Sequence, residues 1–400
     1  MATSRNVIIA GAGIGGLTAA LALAQRGFRV TLLEQAERLE ETGAGIQLSP
    51  NATRVLIALG LEERLRADVV RPETISIRSA RGRELAVLPL GDRATEYYGA
   101  PYWAIHRADL QAILLEAVGA NPDIELKLGV RVEDVVTHAN GLTVGCRRGV
   151  ATADEIGIAL IGADGLWSTL RAQLGNEARP EFRHRTAWRA LLPVAEVAPE
   201  FREPKVNLWL GRDAHLVHYP VKGGALVNIV AIVGDQGEQP GWAAAGEREE
   251  ILQRFSAWRW AQPARALLSQ PAQWLRWSLY DLAPVQHWGH GPITLLGDAA
   301  HPVLPFMAQG AAMAIEDAAV LAATMARTPD DIAGAMRAYE RVRRKRTAKV
   351  QRASRKNSKA YHLAGAEALA RNMVLRLAGG NMLRRRYDWL YGWRPVPPKA

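Results

Sequence analysis

Six residues near the start of the sequence restrict the fold more than any others: Gly11-Ala12-Gly13-Ile14-Gly15-Gly16. They follow a Val- and Ile-rich segment, Arg5 to Ala10, that reads as a short buried strand. They lead into Gly15 to Arg26, where Leu17, Leu21 and Ala24 recur at helical spacing. Gly27 closes that helix as a C-cap, and Phe28 to Leu33 reads as a second strand. This is a βαβ unit, the opening of a parallel sheet. Glycines at 11 and 13 allow a tight turn and let backbone N–H groups approach a pyrophosphate. Gly16 permits close helix–strand packing, Gly15 belongs to the same run, and the helix N-terminus adds partial positive charge. Glu34 follows Gly16 by 18 residues, where its carboxylate can accept hydrogen bonds from an adenosine ribose. Gln35 is assigned to the same end of the ligand. The unit binds a dinucleotide without separating NAD from FAD.

Downstream, Asn51 to Leu65 and Arg107 to Val118 carry apolar stripes and read as helices, and Ile156 to Ala163 reads as another buried strand. The texture changes near Arg179. Eight of the twelve tryptophans lie between Trp188 and Trp288, with Trp242 and Trp258 among them. The alternating segments Val206 to Leu210, Leu216 to Val221, Leu226 to Val233 and Trp274 to Leu282 suit an antiparallel sheet covered on one face. The tryptophans read as packing rather than as a recognition surface. Ile293 to Leu296 returns to a short buried strand, followed by an alanine-rich helix from about Ala311 to Met325.

Hydrophobic residues at 48% and charged residues at 22% exclude a disordered or low-complexity chain. No apolar run approaches the ~20 residues of a membrane-spanning helix. Val7 to Ala24 is mostly apolar, but its glycines break the order of a signal peptide. Cys146, the single cysteine, allows no internal disulfide or iron–sulfur cluster and points to the cytoplasm. Arg341 to Lys359 holds ten Lys or Arg and no acid, against a net charge of +10 for the whole chain. It reads as the solvated face of a helical tail whose Pro-rich end (Pro395, Pro397, Pro398) frays, with nucleic-acid or anionic membrane binding as the alternative.

Two further stretches separate the cofactors. Gly162-Ala163-Asp164-Gly165-Leu166-Trp167-Ser168, with Arg171 beyond, resembles the "DG" motif of FAD-dependent aromatic hydroxylases. Gly297-Asp298-Ala299-Ala300-His301-Pro302, extended by Gln309-Gly310 and Glu316-Asp317, resembles their second FAD motif, "GD". With the glycine turn, three motifs stand in the family's order over most of residues 5 to 345. The chain resembles single-component flavoprotein monooxygenases of the salicylate, 3-hydroxybenzoate and 6-hydroxynicotinate hydroxylase branch. The resemblance implies an α/β fold with a Rossmann-like FAD-binding domain at 1–75, 101–178 and 286–340. An inserted mixed or antiparallel-sheet substrate domain occupies 76–100 and 179–285, and a helical basic tail 341–400. FAD is then held non-covalently and reduced by NADH or NADPH, with NADH favoured by branch. Asp298, ending a buried strand, can accept hydrogen bonds from ribityl hydroxyls. The helix beginning near Gly310 and Ala311 would aim its N-terminus at the flavin pyrimidine edge, favouring the negative charge of reduced flavin. Asp164 belongs to the same set. Arg107 matches the family arginine beside FAD and suits a pyrophosphate.

On the substrate side, His215-Leu216-Val217-His218-Tyr219-Pro220 reads as a strand in which His215, Val217 and Tyr219 share one face, with His215 and Tyr219 ~13 Å apart. The hydroxybenzoate and hydroxynicotinate hydroxylases carry a His and a Tyr at this spacing. The resemblance assigns His215 to deprotonating or orienting a substrate hydroxyl and Tyr219 to holding a carboxylate or the ring. The plainer alternative is a structural histidine and a packed tyrosine. His218 is left to structure or surface. Gln47, in Gly43-Ala44-Gly45-Ile46-Gln47-Leu48, stands where the family approaches the flavin and joins the catalytic and cofactor sets, although the hydroxynicotinate enzymes carry a histidine there. After the GD motif those relatives place a polar Gln or His. Leu304-Pro305-Phe306-Met307 instead implies an apolar wall, with Pro305 and Phe306 against the substrate.

The activity implied is hydroxylation of a small aromatic by NAD(P)H and O2 through a flavin C4a-hydroperoxide, with accompanying decarboxylation left open. Epoxidation or N-hydroxylation of a non-aromatic or heterocyclic substrate is the nearest alternative, ahead of an NAD-dependent dehydrogenase and the basic-surface binder. Expected partners are the aromatic substrate, NAD(P)H and O2, with no specific nucleic acid, no membrane insertion and a homodimer as an open alternative. No metal is expected, because His215 with His218 and His287 with His290 have no carboxylate or cysteine grouped with them.

Overall fold

The computed structural model describes residues 5–39, 44–237, 244–256 and 260–395, and Gly43, Trp242, Trp258, Pro397 and Pro398 lie outside the described residues. A five-stranded, wholly parallel sheet runs in the order Ile293–Leu295, Ala159–Gly162, Asn6–Ala10, Arg29–Glu34, Ile124–Leu128. Its central strands are near-continuous buried Val, Ile and Leu, as a sheet covered by helices requires. The helices Ile14–Ala24, Arg107–Gly119 and Gly310–Arg327 share one core with it. Two expected elements are divided. Asn51 to Leu65 is parted into Pro50–Ala58 and Glu62–Leu65 at Gly60, whose φ of +80° turns the chain out of the helix. Ile156 to Ala163 is not one strand. Ala151–Gly157 closes a three-stranded antiparallel sheet with Gly141–Arg148 and Arg131–His138, and only Ala159–Gly162 enters the parallel sheet.

The second large sheet has eight strands in the order Ala244–Gly246, Trp274–Asp281, Glu181–Pro193, Leu226–Gly234, Ala214–Val221, Lys205–Leu210, Thr74–Ser79, Glu84–Pro89. All neighbours are antiparallel except Lys205–Leu210 beside Thr74–Ser79. One face buries Trp188, Leu216, Val227, Ile229, Ala231 and Trp274 against the helices Arg248–Ser256 and Gln262–Ser269. Strand alternation sends His215, Val217 and Tyr219, paired with Ile232, Val230 and Asn228, to the opposite face. A two-stranded ribbon, Gly45–Leu48 with Trp103–His106, is tied to this sheet by the Gly45 N–H, which donates to the Asn228 side-chain oxygen at 2.7 Å.

The basic run corrects its sequence reading. It lies in the 30-residue helix Ile332–Tyr361, which crosses residue 341 and packs on Gly310–Arg327. Arg341, Lys345, Lys349, Arg352, Lys356 and Lys359 do form an exposed stripe, but Arg343 is fully buried and pairs with Glu316 and Asp317. Arg346 also pairs with Glu316, at 2.6 Å, and Arg355 pairs with Asp281. Two acids in an alanine-rich buried helix need cations, since an unpaired buried carboxylate costs several kcal/mol. The solvated-face reading therefore holds for one side of this helix only. Among the described residues no helix is long and apolar enough to cross a membrane.

Candidate active site

A cavity of about 650 Å3 is lined from one side by the carboxyl ends of the parallel strands and from the other by the His215 face of the eight-stranded sheet. The glycine turn divides by role. Gly11 has φ +106°, and a Cβ there would stand 2.4 Å from the Ala163 carbonyl oxygen. A Cβ on Gly16 would stand 1.8 Å from the Gly11 oxygen, and one on Gly15 would meet Leu296 at 2.9 Å. These three are required by the protein's own packing. Gly13 is different: its backbone is ordinary (φ −70°, ψ 179°) and a Cβ would meet nothing within 4 Å. Its hydrogen faces the cavity, which is what close approach of a ligand to the backbone needs.

The donors and acceptors around the cavity fit FAD. Neither Ile14–Ala24 nor Gly310–Arg327 has a side-chain N-cap or an acid in its first turn, so their leading N–H groups are left for a ligand. Glu34 accepts from the N–H groups of Ala12 (2.8 Å) and Ala36 (2.9 Å), which aims its remaining lone pairs. Glu34 and Gln35 line one part of the cavity and would hold the adenosine; Arg107 and the first helix turn would hold the pyrophosphate. Asp298 is exposed, its carboxylate opening on the cavity, and the protein crowded around that opening raises its pKa while His301 and Arg107 oppose the shift. Gly310 and Ala311 line the same cavity. Just before them Ala308 holds a left-handed backbone, φ +51°, a strained conformation for alanine.

The two motif loops are braced together. Asp164 caps the helix Thr169–Gln173, accepting from Thr169 N–H (2.9 Å) and Leu170 N–H (3.1 Å) through one oxygen. Buried Arg171 donates to the Leu166 oxygen (2.7 Å) and the Ala299 oxygen (2.8 Å), joining the DG loop to the GD loop. Asp317 accepts from the Gly297 N–H at 3.0 Å and lies 2.6 Å from His301 Nε2, so the buried charge network reaches the GD turn directly.

On the opposite wall, His215, Val217 and Tyr219 all line the cavity with Arg189, Val230 and Ile232. Register sets Arg189 opposite Val230 and Val230 opposite Val217, a row across three strands. The Arg189 guanidinium stacks 4.8 Å from the Trp277 ring. Tyr102 donates to the Gln47 side-chain oxygen at 2.7 Å, and Gln47 stands beside the Tyr219 hydroxyl. Pro305 lines the cavity; Phe306 lies behind it, its ring 5.5 Å from that of His215. His218 faces the other core, accepting from the Trp209 indole at 3.1 Å, with burial first and Arg78 next pushing its pKa down to about 3. His215 Nδ1 lies 2.8 Å from Nε2 of His362, at the end of Ile332–Tyr361. Arg189 and His362 were missed by sequence reasoning. The strand parity that selects His215 also selects nothing on a neighbouring strand until register is known. His362 carries no local signal.

A family model described as an FAD binding domain matches residues 4–354. The chain is 38% identical to a 3-hydroxybenzoate 6-hydroxylase of Klebsiella oxytoca over 98% of each chain. It is also 38% identical to a 3-amino-4-hydroxybenzoate 2-monooxygenase of Streptomyces cremeus, over 99% of this chain and 97% of the relative. Among solved structures, a salicylate hydroxylase substrate complex matches with a TM-score of 0.82 and 26% identity over the full length of both chains. The protein folded around this cavity belongs to the FAD-binding-domain family and is an FAD-dependent monooxygenase of its aromatic hydroxylase branch.

Proposed function

We propose that the substrate is a small aromatic acid bearing a ring hydroxyl, of hydroxybenzoate or hydroxypyridine type, with NAD(P)H as reductant and O2 as oxidant. One observation carries this reading: His215, Val217 and Tyr219 face the Asp298 and Gly310 wall across one cavity, to which Val230, Ile232, Val303 and Pro305 add apolar lining. Bound FAD supplies the activation of O2. The rest falls to the chain. The apolar sides accept the faces of a ring and exclude water. Burial, then His362 and Arg185, hold His215 well below the ordinary imidazole range, so it is neutral and able to accept a proton. Taking the hydroxyl proton makes the ring carbons electron-rich, as attack on an electrophilic oxygen requires. The phenolate so formed is the counter-charge that the imidazolium needs in a buried site. Arg189 offers a cation to a phenolate or carboxylate, and burial keeps the Tyr219 hydroxyl protonated as a donor. Phe306 supports the His215 ring from behind.

The test is NADH and NADPH consumption with product analysis on the FAD-loaded protein, over 3-hydroxybenzoate, salicylate, 3-amino-4-hydroxybenzoate and 6-hydroxynicotinate. At least one should be hydroxylated in proportion to reductant used; flavin-loaded protein that hydroxylates none of them overturns the reading. We infer also a homodimer, supported by the exposed row Leu369, Met373 and Leu377 on the helix Gly365–Arg385, and a cytoplasmic location, supported by one buried cysteine. Sedimentation of the purified protein tests the first, and fractionation of the cell the second.

A further inference from the structure

We propose that His362 is a positioning residue: it fixes His215 as the Nδ1–H tautomer and leaves Nε2 as the proton acceptor in the cavity. The inference rests on His215 acting as the base and names what holds that base ready.

Two contacts determine the tautomers. His362 Nδ1 lies 2.6 Å from the Ser358 carbonyl oxygen, and His362 Nε2 lies 2.8 Å from His215 Nδ1. A carbonyl only accepts, so His362 carries its proton on Nδ1. A neutral imidazole has one such proton, so His362 Nε2 accepts and His215 Nδ1 donates. The proton-free nitrogen of His215 is then Nε2. Both rings are buried, and burial is the first reason each stays neutral. Arg185 and Arg371 add to it for His362, against the Ser358 carbonyl, and His362 and Arg185 add to it for His215. The other rings around His215, Phe306 and Tyr361, lie 5.5 and 5.4 Å away by centroid and orient its plane. The backbone completes the clamp: the Asp213 N–H, just before the His215 strand, donates to the His362 oxygen at 3.3 Å.

The same chain acts when the proton moves. The substrate O–H bond breaks, an Nε2–H bond forms, and His215 becomes a cation that still donates through Nδ1 to His362. Behind His362 stands the Ser358 carbonyl, in the last turn of a 30-residue helix, the negative end of its dipole. The arrangement thus opposes Arg185 and Arg371 at the moment charge appears.

Nitrogen-15 NMR of histidine-labelled protein, with and without FAD, should show His215 protonated at Nδ1 and bare at Nε2. His362→Phe keeps a ring and removes the acceptor: it should release the tautomer and lower kcat for product formation about tenfold or more with little change in KM. His362→Gln, whose side-chain oxygen can accept from Nδ1, should recover most of the loss. An Nε2–H tautomer in the parent protein overturns the inference, as does unchanged kcat in a folded His362→Phe protein. Should the Phe variant not fold, the parent spectrum and the Gln variant decide. Loss of product in His215→Gln beside full activity in His362→Phe would defeat this inference alone; full product formation in His215→Gln would defeat the base assignment beneath it.

Discussion

Replacing Gly13 by alanine separates what the glycine turn does for the fold from what it does for a ligand. The Gly13 backbone suits any L residue, and the added methyl meets no protein atom within 4 Å. Glycine-to-alanine changes at such sites lower the entropy of the unfolded chain and stabilise by about 0.4–1 kcal/mol. The apoprotein should therefore melt within about 2 °C of the parent or slightly above it. FAD binding should suffer, because the methyl stands where a pyrophosphate would meet the first turn of Ile14–Ala24. Losing one hydrogen bond to a charged group costs about 1.5–3 kcal/mol, which is about a ten- to hundred-fold weaker Kd. Gly16→Ala is the control: its methyl would collide with the Gly11 oxygen at 1.8 Å, so the fold itself should lose stability. Differential scanning fluorimetry of the apoproteins and flavin-fluorescence titration read the two effects separately. Parent-like FAD affinity in Gly13→Ala, or a melting loss equal to that of Gly16→Ala, would refute the division of roles.

Arg343→Met removes the fully buried cation that Glu316 and Asp317 share, leaving Arg346 on the first and His301 beside the second, and should cost about 3 kcal/mol in urea unfolding, with weaker flavin retention because Asp317 holds the Gly297 N–H; undiminished stability refutes the network's role. His215→Gln should keep its flavin and still consume NAD(P)H while product formation falls about a hundredfold or more, measured as product per reductant. Unchanged product formation removes His215 as the base. For Asp317, burial favours the neutral form, but His301 and Arg343 outweigh it and depress its pKa below 3.8. Its ionised form therefore stabilises the fold fully above the unfolded-state value, and that contribution drains away as pH falls through the folded-state value. The melting temperature should decline below about pH 4, and less steeply in Asp317→Asn; equal slopes would contradict this.

The cofactor half of the site was legible because its constraints are local. Gly16, against the Gly11 carbonyl, and Glu34, on the Ala12 and Ala36 N–H groups, do their work within one βαβ unit, and the DG and GD loops each carry their own short pattern. The face of the His215 strand was legible for the same reason, since alternation needs no knowledge of a partner. Arg189 was not, because its place beside Val230 depends on a register between strands set by the whole sheet. The basic helix misled for a physical reason: ten cations counted along a sequence look uniform, while the helix divides them by angle into a wet stripe and an inner side on which Arg343 is buried and Arg346 and Arg355 are paired. Glu316 and Asp317, adjacent acids amid alanines, were the hint that some of those cations would be claimed. Nothing comparable marked His362.

The network joining Arg343 to Glu316 and Asp317 also ties the GD turn to sequence well downstream of it. Asp317 holds the GD turn through the Gly297 N–H, and it meets its guanidinium only where Arg343, 26 positions further along in the helix Ile332–Tyr361, packs behind it. A substitution at Arg343, which does not itself line the cavity, is therefore felt at the turn that does.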